Sequence, residues 1–454
     1  MLMQSKATAA AVALGGALTL FAGPAIAKSP LTTVHCGDTL TQSVKLANDL
    51  TDCSAPGLAI GADAITVDLN GHTIDGTVTQ TDTCRVLPFG IPGIDTRGHN
   101  GLTIKNGTVQ QFLNGIAVGP GEFEGPPTVG MANSVVRDIT ARYNSFDGIG
   151  IGGGELSYAN RIEHNVVTGN RCGAGIELHG THGNRIAHNR STANGGTGIF
   201  VIGADHSTIE DNKVAGNGGG GMASGFGSDN VIRRNSVSGG PGDGIDVSDA
   251  GDTITANEVT DSIGGIVVQG FDAGFDAAAN RVSRNRVSGA AEGIVVLANA
   301  TVVTDNLVTD AIGGCDDPCG SGIVVGAGSG NRVARNEVRR TLLDGIHVVA
   351  FFADIPTADT IVRDNLVRGA TVNGVGVATE GDGPVTGTLL QRNVAIGAVA
   401  DGFDVHSAAT TLTANAALRN GALGIEAIAG VIDGGHNVAR GNGNPAQCVG
   451  VVCR

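Results

Sequence analysis

The sequence predicts an all-β protein whose chain winds as a single solenoid of short parallel strands, a parallel β-helix of about 12–14 coils. Three observations lead to this fold class. Glycine accounts for 74 of the 454 residues, whereas Trp is absent and Tyr occurs twice. A Gly-Ile-x-Val unit and an Asn-x-Val unit alternate along most of the chain. No segment has the sustained period of an amphipathic helix.

Composition and charge argue against several other classes of protein. Hydrophobic residues make up 41% of the chain and charged residues 16%, a balance that supports a packed core rather than disorder. The 13 Pro and the lack of a three-residue glycine period exclude collagen. The 28 Lys and Arg against 43 Asp and Glu give a net charge of −15, which disfavours a nucleic-acid partner.

The N-terminus has the features of a secretory signal peptide. Lys6 supplies a positive charge, residues 7–22 are largely apolar, and Ala25-Ile26-Ala27 matches the small-x-small pattern of a cleavage site. We therefore expect residues 1–27 to be removed and the rest to be secreted as a monomer. No later segment is apolar enough to insert into a membrane. Residues 28–100 are predicted to form an N-terminal cap and the first coils.

Residues 101–427 carry the repeats. The Gly-Ile-x-Val unit starts at glycines 115, 148, 175, 198, 244, 265, 293, 322, 345, 374, 402 and 424, with a degraded copy at Gly221. The alternation of apolar and small or polar residues within each unit predicts a short strand with two side chains pointing inward. Inward Ile and Val would then stack on their equivalents in neighbouring coils, about 4.8 Å away.

The second unit places an Asn at a predicted inward turn. These residues lie at 106, 165, 189, 212, 235, 257, 285, 306, 336, 365, 393 and 415, and Asp138 takes one further place. We expect each amide to hydrogen-bond the same amide in the coils above and below, because Asn is both donor and acceptor. Asn also tolerates the left-handed backbone that such a turn requires.

The Gly-Ile-x-Val and Asn-x-Val units together resemble the right-handed parallel β-helix repeat family, within the pectate-lyase-like superfamily. The segment 64–74, which reads AITVDLNGHTI, is similar to the first coils of such proteins. The resemblance implies a right-handed solenoid over residues 101–427. It leaves the activity open, because that superfamily contains lyases, hydrolases, epimerases, adhesins and non-catalytic proteins.

Extra residues accumulate at one corner of the predicted coil, directly after the Gly-Ile-x-Val strand. They include residues 121–127, 271–275, 351–354 and 380–383. Insertions that share one position in a solenoid emerge on one face, which is often the binding face. Neutral variation in loop length is the alternative.

Eight cysteines in an exported chain predict disulfides. Proximity in sequence favours the pairs Cys36–Cys53, Cys315–Cys319 and Cys448–Cys453. Cys84 and Cys172 remain as the fourth pair. The pair Cys448–Cys453 would close a C-terminal cap formed by residues 428–454.

The last coils bring together the candidate catalytic residues. Outward positions on or beside the Gly-Ile-x-Val strands predict a groove of carboxylates and imidazoles formed by Asp344, His347, Asp401, Asp404, His406 and Glu426. Such groups suit acid/base chemistry on a sugar. For an Asp that directly precedes Gly, a role in capping the backbone is an alternative, and it applies to Asp147, Asp243, Asp344 and Asp401.

Two further groups are weaker candidates. Asp243, Asp246 and Asp249 lie beside the long insertion after Gly265, and Asp243 and Asp246 are included among the catalytic candidates. Glu177, His179 and His182 could hold a metal, but scattered surface histidines explain them better.

Two functions remain open from the sequence. One is a secreted protein that binds an extracellular polysaccharide along a groove and cleaves or modifies it as a lyase, hydrolase or epimerase. The other is a non-catalytic extracellular binding or scaffold protein, which suits the shortage of aromatic rings for sugar stacking. No definite cofactor follows from the sequence, and Ca²⁺ is the candidate because it could bridge this acidic protein to an acidic polymer.

Overall fold

A computed structural model of the protein describes residues 30–80, 91–118, 129–270, 277–314 and 319–454. The chain forms an all-β parallel solenoid of about 16 turns, and the described residues contain one helical element, a 3-10 turn at Gly154–Leu156. The predicted fold class is confirmed. The predicted number of 12–14 coils is too low, because coils also form before residue 101, where Gly57-Leu58-Ala59-Ile60 and Gly93-Ile94-Asp95-Thr96 are variants of the glycine unit. The predicted signal peptide, residues 1–27, lies outside the described residues.

Each coil contributes up to three short strands, and each strand pairs in parallel with its equivalent in the next coil. We call the three resulting surfaces faces 1, 2 and 3. Face 1 contains the Gly-Ile-x-Val strands, face 2 the strands that precede the ladder Asn, and face 3 the strands that follow it.

The strands of face 1 are Asp38–Leu40, Leu58–Ile60, Ile94–Asp95, Ile116–Ala117, Ile149–Ile151, Ile176–His179, Ile199–Ile202, Met222–Ser228, Ile245–Ala250, Gly264–Gln269, Glu292–Leu297, Ile323–Ser329, Ile346–Ala350, Val375–Gly381, Phe403–Val405, Ile425–Ala427 and Cys448–Val449. At the corner after this face lie Thr357–Ala358 and Val385–Thr386.

The strands of face 2 are Leu31–Thr32, Val44–Leu46, Thr66–Asp68, Arg161–Glu163, Arg185–Ala187, Thr208–Glu210, Val231–Arg233, Thr253–Thr255, Arg281–Ser283, Val302–Thr304, Arg332–Ala334, Ile361–Arg363, Leu389–Gln391, Thr411–Thr413 and Ile432–Asp433. The strands of face 3 are Leu50–Cys53, Thr73–Gly76, Val166–Thr168, Arg190–Thr192, Lys213–Ala215, Ser236–Ser238, Glu258–Thr260, Arg286–Ser288, Leu307–Ala311, Glu337–Thr341, Leu366–Arg368, Val394–Ile396, Ala416–Leu418 and Val438–Arg440. Two longer strands run through both faces, Thr103–Gln110 and Val135–Arg142.

The core is a stack of identical positions. On face 1, Ile149 pairs with Ile176 and Ile176 with Ile199, and all three side chains are buried. Alternation along the strand sends the intervening residue outward, as Gly150 and Glu177 show. The predicted stacking of Ile and Val is confirmed.

The asparagine ladder is also confirmed. From Asn165 to Asn437, each amide Nδ2 donates to the Oδ1 of the equivalent Asn in the next coil, for example Asn285 to Asn306 at 3.1 Å. The same Nδ2 donates to a main-chain carbonyl, as from Asn285 to Ile254 at 2.9 Å. The ladder thereby satisfies polar groups that the narrow core would otherwise leave unpaired.

Two details of that prediction are wrong. The left-handed residue is the one before the ladder Asn, for example His164 (φ 58°) before Asn165, and not the Asn itself. Asn106 and Asp138 occupy this earlier position, with φ of 60° and 54°. The ladder position itself is taken by Gly107 and Ile139, which pair with each other. Asp138 is consequently exposed and takes no part in the ladder.

The structure confirms two of the predicted disulfides, Cys36–Cys53 and Cys448–Cys453. Cys84 and Cys315 lie outside the described residues, so the pairs Cys84–Cys172 and Cys315–Cys319 stay predictions. In the part of the chain that the structure describes, no helix has the length and apolar character needed to cross a bilayer.

Candidate active site

The candidate residues of the last coils meet on face 1. Parallel pairing places His347 beside Gly376, Gly376 beside Asp404, and Asp404 beside Glu426, all at the outward position of their strands. At about 4.8 Å per strand, His347 and Asp404 are about 10 Å apart, with only a glycine between them. Asp404 and Glu426 are direct neighbours.

Three carboxylates form the centre of this site. One carboxylate oxygen from each of Asp401, Asp404 and Glu426 lies within 4.8 Å of the others. This is the one group of three or more acidic, His or Cys ligands with such convergence among the described residues. Carboxylate oxygens are the ligands that Ca²⁺ prefers, so these three residues could hold the Ca²⁺ that the sequence suggests.

Asp404 is held by two neutral or weakly basic partners. His406 Nε2 lies 3.0 Å from Asp404 Oδ1, and Asn373 Nδ2 donates to Asp404 Oδ2 at 3.3 Å. Partial burial raises the pKa of Asp404, and the Glu426 carboxylate raises it further, whereas His406 lowers it. The Asp404–His406 pair can therefore hold a proton between a carboxylate and an imidazole.

Asp401 is buried rather than exposed in the groove. One of its oxygens, Oδ1, accepts a hydrogen bond from the main-chain N–H of Leu423 in the next coil. Burial raises the pKa of Asp401 to about 6, and the nearby charges of Asp404 and Glu426 add to the effect. The Asp401 carboxylate is also one of the three that converge at this site.

Asp344 and His347 are also buried, which corrects the expectation that they face an open groove. Asp344 Oδ1 accepts a hydrogen bond from the main-chain N–H of Asn373 at 2.9 Å, so it caps the next coil. His347 is only 7% exposed, and burial lowers its pKa to about 4. The imidazole is therefore neutral at physiological pH.

Other residues directly before the glycine of the Gly-Ile-x-Val unit share this capping role. Asn373 Oδ1 accepts from the N–H of Asp401 at 3.1 Å, Asp243 Oδ1 from Gly264 at 2.8 Å, and Asp147 Oδ1 from Ala174 at 2.7 Å. These bonds support the structural alternative for Asp before Gly.

The insertion after Ile346–Ala350 covers the corner next to the site. Phe351 lies over Gly326, where a Cβ would come within 2.4 Å of the Phe351 ring. Phe351 and Phe352 both remain 43% exposed. The main-chain N–H groups of Asp382 and Gly383 donate to the carbonyl of Ala350 at 3.1 and 3.0 Å, so the following insertion packs on the same corner. The insertions at 121–127 and 271–275 lie essentially outside the described residues.

The second candidate group divides between the surface and the core. Asp246 accepts hydrogen bonds from Gln269 Nε2 at 2.9 and 3.0 Å, and burial followed by the Asp243 charge raises its pKa to about 6. Asp249 points into the core, only 1% exposed. Six strand spacings, about 29 Å, separate Asp246 from Asp404, so the two groups are separate sites.

The third candidate group does not come together as a metal site. His179 Nδ1 lies 4.0 Å from Glu177 Oε1 on face 1. His182 instead stacks on Tyr158 with ring centroids 5.2 Å apart, and its Nδ1 lies 3.5 Å from Glu155.

Sequence reasoning gave no role to two polar residues of this face. Asn373 forms hydrogen bonds with Asp344, Asp401 and Asp404. Its position directly before Gly374 is the sequence feature that could have identified it. Glu292 precedes Gly293 in the same way. It accepts a hydrogen bond from the N–H of Gly320 at 2.9 Å, and burial raises its pKa to about 7.

Comparison with known proteins identifies the family. The family described as "Right handed beta helix region" matches residues 92–259, 174–318 and 249–422, which together span well over half of the chain. The chain belongs to the right-handed β-helix family. No curated protein matches this β-helix sequence significantly.

Solved structures share the fold of this β-helix protein at low identity. The A-module of the mannuronan C-5 epimerase AlgE4 from Azotobacter vinelandii has a TM-score of 0.50 and 14% identity, covering 83% of this chain and 91% of that one. An alginate lyase from Paenibacillus sp. has a TM-score of 0.37 and 17% identity, covering 58% and 92%. A DFA-IIIase from Arthrobacter chlorophenolicus has a TM-score of 0.39 and 14% identity, covering 79% and 85%. At 14% identity, the likeness to the AlgE4 A-module shows the fold alone.

Proposed function

We propose that this protein binds an extracellular polysaccharide along face 1 and cleaves or modifies it at Asp404. The observation that carries the proposal is the Asp404–His406 pair, 3.0 Å apart, beside the carboxylates of Asp401 and Glu426. The A-module of the mannuronan C-5 epimerase AlgE4 has the same fold and supports a polysaccharide as the ligand. Secretion belongs to this proposal, and the two disulfides agree with it.

The stacked coils suit a polymer better than a small ligand. Equivalent positions repeat about every 4.8 Å along face 1, so a chain lying across the coils meets outward side chains from successive strands. The partly exposed aromatic rings of Phe351 and Phe352 lie at the adjoining corner, where they offer apolar contact to a sugar.

The carboxylates have different environments, as acid/base chemistry requires. Asp401 is the group best placed to carry a proton, since burial raises its pKa to about 6. Asp404, oriented by His406 and Asn373, is the group best placed to act as base or nucleophile. Pairs of carboxyl groups about 5–5.5 Å apart serve direct attack on a sugar, whereas water-mediated inversion needs about 6.5–9.5 Å. Oxygens within 4.8 Å of one another favour the first geometry.

The test is incubation of the protein with a panel of neutral, cationic and anionic polysaccharides, with and without Ca²⁺. Chain length, new reducing ends, unsaturated ends and sugar epimerisation are measured. We expect Asp404→Asn and His406→Ala to reduce turnover at least 100-fold on the substrate found, a loss typical of removing a general acid or base.

A matched control lies on the same face. Glu177 and His179 occupy the same two strand positions as Asp404 and His406, nine strands and about 43 Å away. The variants Glu177→Gln and His179→Ala should leave turnover unchanged. If the Glu177 and His179 variants lose as much turnover as the Asp404 and His406 variants, the assignment of the active site to Asp404 is wrong. Binding without any chemical change would establish the non-catalytic alternative instead.

A further inference from the structure

The corner between faces 2 and 3 carries a column of side chains that the candidate active site does not use. Each belongs to the residue directly before the ladder position, which has a left-handed backbone, and in five successive coils these residues are Asp138, His164, His188, Asp211 and Arg234. None of the five is buried. The column is therefore open to a ligand from solvent, at the one corner of the coil that does not border face 1.

Ion pairs join neighbouring coils along much of this column. Arg234 donates to both carboxylate oxygens of Asp211, at 2.9 and 2.7 Å. The same pairing recurs farther along, between Arg335 and Asp305. The two histidines interrupt this pattern with two identical groups. Among the described residues, neither imidazole takes part in a hydrogen bond or an ion pair, and the two rings contact each other.

The fold presents the two imidazoles side by side. Their rings are stacked, with centroids 4.9 Å apart and planes inclined by 25°. The main-chain N–H of His164 donates to the carbonyl of Ala187 at 3.1 Å, which fixes its coil against the coil of His188. The two histidines also have nearly equal φ angles, 58° and 57°. Both side chains therefore leave the main chain in the same direction, one coil apart.

This spacing is within reach of one metal ion. Two nitrogens bound to a tetrahedral Zn²⁺ at 2.0–2.1 Å lie about 3.4 Å apart. Rings stacked at 4.9 Å can bring one nitrogen each to that separation by rotation about their side-chain torsions, which exposure to solvent leaves unhindered.

A carboxylate lies beside the imidazoles in the next coil. The hydrogen bonds from Arg234 lower the pKa of Asp211, and the charge of His188 contributes to the same shift. A carboxylate has about four acceptor positions, so the two bonds from Arg234 leave room for a further partner. Carboxylates that bind metals are commonly oriented by a hydrogen bond of this kind.

We propose that His164 and His188 bind a divalent transition-metal ion of the kind that prefers imidazole, such as Zn²⁺, Ni²⁺ or Cu²⁺. The Asp211 carboxylate and water are available for the remaining coordination positions. Imidazole nitrogens suit these ions, whereas Ca²⁺ and Mg²⁺ prefer oxygen ligands. The ion would link two adjacent coils through their side chains. This site is separate from face 1 and does not depend on the proposed function.

The experiment is a calorimetric titration of the full protein, without an affinity tag and freed of metals, with Zn²⁺. We expect His164→Gln and His188→Gln each to weaken binding at least tenfold. Zn²⁺ should also raise the melting temperature of the wild type, because it binds the folded state, and should not raise that of either variant. Without metal, both variants should melt as the wild type does, since the side chains are exposed. Ca²⁺ and Mg²⁺ should not compete for the site.

Two control variants separate this site from other places where Zn²⁺ could bind. His206 is 70% exposed and lies 3.8 Å from Asp229 in the next coil, but its equivalent in the preceding coil is Gly183. It therefore offers one imidazole and one carboxylate without a second imidazole, and His206→Gln should bind Zn²⁺ as the wild type does. His406→Ala tests the carboxylate cluster of face 1, and it should leave the binding event that needs His164 unchanged.

Four outcomes would overturn the inference. The wild type does not bind Zn²⁺, or His164→Gln or His188→Gln binds it as tightly as the wild type. The third is equal weakening by His206→Gln, and the fourth is loss of all Zn²⁺ binding in His406→Ala. None of these results changes the expectation for turnover of a polysaccharide at Asp404, so the proposed function is tested independently.

Discussion

Asp252→Asn is expected to stabilise the protein at neutral and alkaline pH, because Asp252 replaces an amide in a buried polar ladder. Its Oδ1 accepts from the N–H of Asn230, and its own N–H donates to Asn280 Oδ1, both at 2.7 Å. In the flanking coils the Nδ2 groups of Asn230 and Asn280 donate to the carbonyls of Ala204 and Asp249. Asp252 places a buried oxygen there instead, and its carboxyl can bond the neighbouring Asp249 carboxyl only when one of the two carries a proton.

The pKa of Asp252 sets the size of the effect. Burial raises it to about 8, and the Asp249 carboxylate contributes further. The unfolded chain has a carboxyl pKa of about 3.9, so between about pH 4 and 8 the unfolded state binds fewer protons than the folded state. The contribution of Asp252 to the free energy of unfolding is therefore fully present below about pH 4 and is lost progressively up to about pH 8. Each pH unit costs at most about 1.4 kcal/mol, or about 4 kcal/mol between pH 5 and 8.

The assay is denaturant and thermal unfolding of the wild type and Asp252→Asn at pH 5, 6.5 and 8. The gain of the variant in the free energy of unfolding should be up to about 4 kcal/mol larger at pH 8 than at pH 5. Asp229→Asn is the control, because it removes an exposed charge that also acts on Asp252 but lies outside the ladder.

Three results would refute the reasoning. Asp252→Asn could be destabilising at pH 8, its gain could be independent of pH, or Asp229→Asn could produce the same gain. Any of these would mean that the ladder position does not require a hydrogen-bond donor.

Three other substitutions test the fold and the buried histidine. Asn285→Ala removes the partner of the Asn257 N–H and of the Ile254 carbonyl in the preceding coil, and should lower the free energy of unfolding by about 3 kcal/mol or more in urea; a change below 1 kcal/mol would contradict the ladder's role. Gly198→Ala places a Cβ 2.3–2.8 Å from three atoms and should lower the melting temperature more than Gly216→Ala, which has open space but a φ of +60°. Burial lowers the pKa of His347 to about 4, so the unfolded chain binds the proton first and the wild type loses stability as pH falls from about 6.5 to 4. His347→Gln should abolish this pH dependence. An unchanged pH profile of the melting temperature would contradict this.

The repeat made most of the fold predictable, since strand, turn and ladder positions recur with the same residue types. The errors occur where the recurrence weakens. Asn106 and Asp138 lie one residue before the ladder position, and the strands Thr103–Gln110 and Val135–Arg142 run through this corner without a break. A single Asn or Asp fits either position in sequence, because only the stacked partner in the next coil distinguishes them. Asn165 is the first residue here whose amide meets another ladder amide.

The sequence predicted which residues lie together in the candidate site, but not how deeply their side chains are buried. Strand alternation places Asp404 and Glu426 outward, and equal positions in successive units place them side by side. Alternation does not reveal what the next coil or the corner insertion covers. Asp401 and His347 are both buried. Burial raises the pKa of Asp401 and lowers the pKa of His347, so it favours the neutral form of each side chain.

The charge distribution follows from the same stacking. A parallel solenoid holds side chains at equivalent positions about 5 Å apart, so acidic residues in successive coils repel one another unless the sequence supplies a counter-charge. On faces 2 and 3 it does so, through pairs such as Arg335–Asp305. On face 1 the carboxylates of Asp404 and Glu426 are adjacent, the Asp401 carboxylate converges on them, and the partners of Asp404 among the described residues include an imidazole and an amide. Protonation or a divalent cation would reduce the repulsion among these carboxylates, and the two routes give different dependences on pH and on Ca²⁺.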